Sequence, residues 1–270
     1  MGTLWKAALF GLVEGITEWL PVSSTGHMIL LERWLPMEVT ARFWETFLVV
    51  IQLGAVAAVV VTRFSELWPL EHTGGLHLNR KILALWGKIL LACVPAAVLE
   101  LTVGQYLTAL FYRPRCVAAA LIAVGALFLL VERMNRRRVP RLTAPEQIDG
   151  KRALAIGLFQ LLAAAFPGTS RSGATILGAL LLGISRPAAA SFSFYLAVPV
   201  MAGASLWKLL QTGLRFTGEE LSLLLMGTVC AFAVSMAVIR GLTGFVRRRD
   251  FTVFAVYRIA LGLLVLAVLA

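Results

Sequence analysis

The chain is poor in charge: Asp, Glu, Lys and Arg make up only 14% of its 270 residues, while 59% are hydrophobic. A soluble domain carries about 25% charged residues, so a water-facing globule is excluded and a membrane is the expected solvent. Cysteine is scarce as well. Cys93, Cys116 and Cys230 are scattered through apolar stretches with no CxxC spacing, which argues against a disulfide framework or a zinc site and leaves them as small core residues. A cleavable leader is not expected either. Lys6 lies in an apolar run, but no small-residue cleavage site follows and Glu14 and Glu18 interrupt it, so this run is expected in the mature protein. Nor is there a basic stripe interleaved with aromatics. The net charge of +11 sits in short clusters between apolar segments, a pattern of membrane orientation and not of nucleic-acid binding.

What the sequence does have is a series of long apolar runs, with a mean hydropathy of +0.85. Residues 43–62, 82–103, 116–132, 188–210, 219–239 and 251–269 are each long enough to cross a hydrocarbon core as a helix. Two further runs, 3–34 and 152–183, are broken in the middle. The breaks fall at Pro21-Val22-Ser23-Ser24-Thr25-Gly26 and at Pro167-Gly168-Thr169-Ser170-Arg171-Ser172-Gly173. Pro and Gly end one helix there, and Ser or Thr can cap the next. Each half is too short to cross alone, so both runs predict re-entrant helix-loop-helix elements whose irregular backbone lines a polar cavity.

A shift of 146 residues lays Pro167 on Pro21, Gln160 on Glu14 and Ser170 on Ser24, which makes the two broken elements counterparts in a weak internal repeat. Gly203-Ala204 echoes Gly54-Ala55 further along, and Gly262 echoes Gly125. One re-entrant element plus three spans is an odd number of crossings, so two such units in tandem lie in opposite orientations. The predicted fold is therefore an all-α polytopic membrane protein. It is a single membrane domain in which repeat one covers 1–132, a basic linker 133–151 and repeat two 152–270, giving an inverted repeat of six transmembrane helices and two re-entrant elements.

The basic clusters agree. Arg63, Arg80 and Lys81 fall in one loop, Arg133, Arg136, Arg137, Arg138, Arg141, Lys151 and Arg152 in a second, and Arg240, Arg247, Arg248 and Arg249 in a third. All three lie on one side of this topology, which the positive-inside rule makes cytoplasmic. The opposite loops hold mainly Arg33, Arg42, Arg113, Arg115 and Arg215. Both termini and the entrance to the first broken element are then outside.

Glu14 and Glu18, four apart on a helix, project from one face of an apolar segment. Two such charges repel, so either one is protonated or a cation shares them, and for oxygen ligands that cation is Mg²⁺ or Ca²⁺. Ser23, Ser24, Thr25, Gly26 and His27 follow Pro21 and form the first turn of a half-helix, whose free N–H groups and positive dipole end suit an anion. Ser24 offers a hydroxyl nucleophile, and His27 on the same face can act as base, acid or nucleophile. The second break adds Arg171 beside Thr169, Ser170 and Ser172 at another half-helix start, a bidentate grip for phosphate oxygens. Together these residues ask for a ligand with several negative charges and room for a metal. A diphosphate fits, and the membrane setting makes its tail a lipid. Gln160, in the place of Glu14, is either a further donor or a polar helix contact. His72 and His77 read as solvated loop residues. Trp19, Trp34, Trp68 and Trp207 read as interface anchors.

The stretch from Glu14 through Glu18-Trp19-Leu20-Pro21 to His27, and the stretch Pro167 to Gly173, resemble the two signature motifs of bacterial undecaprenyl-diphosphatases, the bacitracin-resistance protein family. Length, spans and inverted repeat are similar throughout. The resemblance implies hydrolysis of undecaprenyl diphosphate to undecaprenyl phosphate and inorganic phosphate in the bacterial cytoplasmic (inner) membrane, with the active site open to the periplasmic face. This recycles the carrier lipid of cell-wall synthesis and confers bacitracin resistance. It implies a divalent cation on Glu14 and Glu18. Glu18, Ser24, His27 and Arg171 would be the catalytic residues, and Ser23, Thr25, Gly26, Thr169, Ser170 and Ser172 would hold phosphate with Arg171. Ser24, His27 and a metal-activated water remain alternatives for the attack. The expected partners are a polyprenyl diphosphate lipid and the membrane, with a homodimer as a further partner and no nucleic acid. The competing function is a polyprenyl-phosphate flippase, because broken helices meeting at the midplane also build transporters.

Overall fold

In the computed structural model, residues 2–71, 77–213 and 215–269 are described. The helices are α1 (Leu4–Thr17), α2 (Ser24–Trp34), α3 (Ala41–Val50), α4 (Gln52–Thr62), α5 (Phe64–Leu67), α6 (Arg80–Phe111), α7 (Pro114–Asn135), α8 (Gly150–Ala165), α9 (Arg171–Leu181), α10 (Arg186–Thr212), α11 (Gly218–Val246) and α12 (Thr252–Leu269). Two-residue strands β1 (Leu70–Glu71) and β2 (His77–Leu78) pair antiparallel between α5 and α6. His77 is exposed there, and His72 lies outside the described residues.

The fold is an all-α polytopic membrane fold. Six helical stretches are long and apolar enough to cross a membrane: Ala41–Thr62, which joins α3 and α4, then Arg80–Phe111, Pro114–Asn135, Arg186–Thr212, Gly218–Val246 and Thr252–Leu269. Each contains or closely overlaps one of the apolar runs, and most reach beyond it. Polar caps account for the extension. The Asn79 side chain accepts from the Lys81 and Ile82 amides, Ser185 accepts from Ala188, and Thr217 with Glu220 forms a capping box. The outward faces are aliphatic, with Leu101, Val229 and Leu210 each 60% exposed or more. Only a lipid solvent makes such a surface favourable.

Polar contacts sort the helix ends into two layers. Arg42 bonds the Thr212 carbonyl and Lys208 pairs with Glu45 at 2.7 Å, which puts the start of α3 beside the end of α10. Arg63 reaches Thr243 at 2.5 Å, and Arg186 grips the buried Glu132, which also accepts from the Phe251 amide. The Arg63, Arg133 and Arg240 clusters therefore share one end of the bundle.

The two halves exchange packing partners. The α1 helix runs along α11, while α8 runs along α6. Both contacts are close because each has glycine where backbones meet. A Cβ at Gly11 would lie 2.2 Å from the Gly227 carbonyl oxygen, and one at Gly157 would lie 2.3 Å from that of Ala92. Likewise α7 packs on α12, with Gly125 against Ala255 and Gly262 against Ala118, each at 2.9 Å from the carbonyl oxygen. Gly54 and Gly203 are less alike: a Cβ at Gly54 would meet the Thr228 oxygen at 2.0 Å, whereas Gly203 faces open space.

Gly157→Ala is expected to force α8 off α6 and destabilise the protein by about 1–3 kcal/mol, the cost of overpacking. Gly241→Ala is the control, since it has nothing within 4 Å and should be neutral or slightly stabilising by helix propensity. Thermal unfolding in detergent distinguishes them, and equal midpoints would refute the close-contact reading.

Candidate active site

The α1 helix stops because its last turn runs into Pro21, which has no amide hydrogen to continue the ladder. Residues 18–22 form turns, and α2 begins at Ser24. Lys6 near the start of α1 bonds the Pro36 carbonyl just past α2 at 2.6 Å, so the chain returns to the end from which it came. The second broken run does the same. After Gly168, at φ +97°, it enters α9, and the Gly183 carbonyl accepts from the Arg141 amide in the segment leading to α8.

Both second half-helices are preceded by a serine in a backbone conformation that L-residues avoid: Ser23 has φ 71° and Ser170 has φ 70°. Such strain is of order 1–3 kcal/mol and persists only where surroundings enforce it. The structural counterpart of Ser170 is therefore Ser23 and not Ser24, because the second break is one residue longer than the 146-residue shift allows. The two caps differ in one respect. Ser170 Oγ accepts from the Gly173 amide, while Ser23 caps nothing and its hydroxyl is buried without a partner. The first turn of α2, Ser24 to His27, thus keeps its amides for another acceptor.

The two breaks meet. Arg258, fully buried on α12, donates to the carbonyls of Pro21 at 2.9 Å, Gly168 at 2.9 Å and Thr169 at 2.8 Å. Ser172, also fully buried, contacts the carbonyls of Glu18 at 3.0 Å and Leu20 at 3.2 Å. The Ser172 hydroxyl is thereby turned to backbone, where it stitches the loops together, while Thr169 joins them through its main-chain carbonyl.

Glu18 is the hub. Its Oε1 pairs with Arg171 at 3.1 Å and its Oε2 accepts the Ser24 hydroxyl at 2.9 Å. Arg171 is held further by the Ser193 carbonyl at 2.8 Å and lies over the Trp19 ring at 6.0 Å, with its Nε free of partners. Trp19 is no interface anchor: it is fully buried, edge-on to Phe194, because it forms the floor under this guanidinium. Trp34, Trp68 and Trp207 are exposed, as anchors would be. Ser24 is thus joined to a carboxylate, and that carboxylate to a fixed cation, the order of nucleophile, base and orienting group.

His27 makes no hydrogen bond to Ser24. Its Nδ1 is 2.7 Å from the Ser23 carbonyl and its Nε2 2.7 Å from the Tyr257 hydroxyl, on which it stacks. Thr25 is half-buried, and Gly26 packs so closely that a Cβ would come within 2.9 Å of Leu121.

Glu14 lies one turn before Glu18, 1% exposed, with Oε1 unpartnered. Gln160, its counterpart, is equally buried, and both of its amide atoms lack partners. Among the described residues no group of three or more His, Cys, Asp or Glu could hold an ion alone. The orphaned carboxylate oxygen of Glu14 beside Glu18 nevertheless suits a hard cation that takes its remaining oxygens from phosphate and water.

Tyr257 and Arg258 were not among the residues expected from sequence. An arginine inside the apolar run 251–269 was itself the available signal, since intramembrane charge is costly unless it works. Tyr257 gave none.

The family model described as "Bacitracin resistance protein BacA" matches residues 7–264. The chain is 50% identical to the undecaprenyl-diphosphatase of Desulfitobacterium hafniense over 97% of its own length and 95% of that protein. It is 48% identical to undecaprenyl-diphosphatase 1 of Clostridium acetobutylicum, with the same coverage. The undecaprenyl-diphosphatase of Enterococcus faecalis is 46% identical over 98% of this chain and 96% of its own.

Proposed function

The chain belongs to the bacitracin resistance protein BacA family, and on that premise we propose how it acts as an undecaprenyl-diphosphatase, releasing inorganic phosphate and leaving undecaprenyl phosphate. The observation that carries the mechanism is the Ser24–Glu18–Arg171 chain, in which both breaks contribute. The terminal phosphoryl group sits at the uncapped first turn of α2, where amides and the positive helix end offset its charge. Ser24 gives its proton to Glu18 as Oγ bonds to phosphorus. The bond from phosphorus to the bridging oxygen breaks, and its electron pair leaves with the lipid monophosphate. Water then hydrolyses the phosphoserine. Arg171 fixes Glu18 in position, and its guanidinium charge offsets that of the phosphate oxygens.

Glu14 and Glu18 would hold Mg²⁺ or Ca²⁺, which supplies charge neutralisation at the diphosphate. Each broken pair enters the bilayer and leaves by the same face, in two inverted repeats, 1–132 and 152–270, about the linker 133–151. The exchanged packing of α1 and α8 supports this. The basic end of the bundle faces the cytoplasm under the positive-inside rule, so the site opens outward from the inner membrane. A flippase would need the same anion grip but no hydroxyl paired to a carboxylate, which favours hydrolysis.

Purified protein in detergent is expected to release phosphate from undecaprenyl diphosphate, to stop in chelator and to resume when Mg²⁺ or Ca²⁺ is restored. Release that chelator leaves unchanged would remove the cation. No release from folded protein would favour lipid-phosphate transport.

A further inference from the structure

We propose that Tyr257 is a positioning residue for His27, holding in one orientation an imidazole whose proton the Ser23 carbonyl keeps on Nδ1 and whose electron pair lies on Nε2. The proposal builds on the reading of the α2 first turn as the phosphate cradle. A backbone carbonyl only accepts, so the 2.7 Å contact between Nδ1 and the Ser23 oxygen requires the hydrogen on Nδ1. The neutral ring then has no second N–H, and the 2.7 Å contact at Nε2 requires the Tyr257 hydroxyl to donate. The rings stack at 5.6 Å with planes 10° apart, so both polar contacts and the aromatic faces hold one orientation.

The consequence reaches the cradle. Ser23 has a positive φ and no side-chain cap, and the Nδ1–H bond from His27 ties its carbonyl down. The opposite tautomer would set the Nδ1 lone pair against that carbonyl, so Ser23 selects the tautomer. The Tyr257 hydroxyl and its stacked ring then hold the imidazole in the orientation that keeps this bond. The anchor at the far end is rigid, because the next residue, Arg258, binds Pro21, Gly168 and Thr169. One turn of α12 therefore fixes both breaks, Arg258 through their carbonyls and Tyr257 through His27.

Only three histidines occur in the chain, which makes the tautomer measurable. In the full-length protein, His72→Gln and His77→Gln leave His27 as the single ¹⁵N-labelled imidazole. Nitrogen NMR at neutral pH is expected to show a protonated Nδ1 and an unprotonated Nε2. Tyr257→Phe keeps the stacked ring but removes the donor. It should shift the Nε2 signal downfield, to that of an unprotonated nitrogen without a hydrogen bond, leave Nδ1 protonated, and lower phosphate release about tenfold, mainly through a raised KM because the cradle loosens.

A protonated Nε2 in the parent overturns the proposal, even if the Phe variant fails to fold. So does an Nε2 signal that does not move in a folded Tyr257→Phe protein. The spectrum needs no turnover. A protonated Nδ1 with an Nε2 signal that Tyr257→Phe shifts, in a protein that hydrolyses nothing, would uphold the positioning and discard the phosphatase reading.

Discussion

Ser24→Ala lowers phosphate release by about 10³-fold or more, and Glu18→Gln by about 10²–10⁴-fold, the range for loss of a nucleophile's general base. The two effects do not add. Ser24 Oγ and Glu18 Oε2 are one hydrogen-bonded unit at 2.9 Å, and residues that act as a unit lose nearly everything at the first substitution. The double variant should therefore be no worse than the poorer single one by more than a few-fold. Initial rates on undecaprenyl diphosphate measure this directly. A double variant whose loss is the product of the single losses would mean that Glu18 serves Arg171 alone and that another group takes the proton. His27 is poorly placed for that task in this arrangement, since both its nitrogens are committed to Ser23 and Tyr257.

Arg258→Leu unlatches the two breaks. The guanidinium serves three carbonyls from both loops at once, and leaving each without a partner costs about 1–3 kcal/mol. Part of that is recovered by removing a buried cation whose partners among the described residues are carbonyl dipoles. A net loss of several kcal/mol is expected, seen as a lower unfolding midpoint in detergent together with near-complete loss of hydrolysis. Arg258→Lys is the informative companion. A single ammonium cannot span three carbonyls in the plane of a guanidinium, so it should rescue folding more than activity. If Arg258→Leu kept the parental midpoint and rate, the latch would be dismissed.

Most of this architecture was written in the sequence because bilayer thickness makes helix length legible. Each span needs about 20 apolar residues, and all six were visible as such. Their ends were not, because the polar caps Asn79, Ser185 and Thr217 extend helices past the apolar window. The breaks were legible from Pro and Gly, and the acidic, hydroxyl and basic residues around them as a phosphate-binding set. Their mutual wiring was not. That Ser24 meets Glu18 and not His27 depends on the turns over 18–22, which no spacing rule fixes. Ser172 and Trp19 show the same limit. Each has the composition of a surface role, a phosphate donor and an interface anchor, yet each is fully buried because the opposite break folds onto it. Arg258 could have been read as working charge inside a span, whereas its partners lie 237, 90 and 89 residues away and emerge only from the fold.

The most direct test of the mechanism is a single turnover of substrate labelled in its terminal phosphate, quenched in acid and followed by mapping of any label on the protein. Label on Ser24 that is absent in Ser24→Ala is the predicted result. Label found only in inorganic phosphate, from a Ser24→Ala protein that turns over at the parental rate, would contradict attack by this serine and leave its hydroxyl as a ligand for the phosphate.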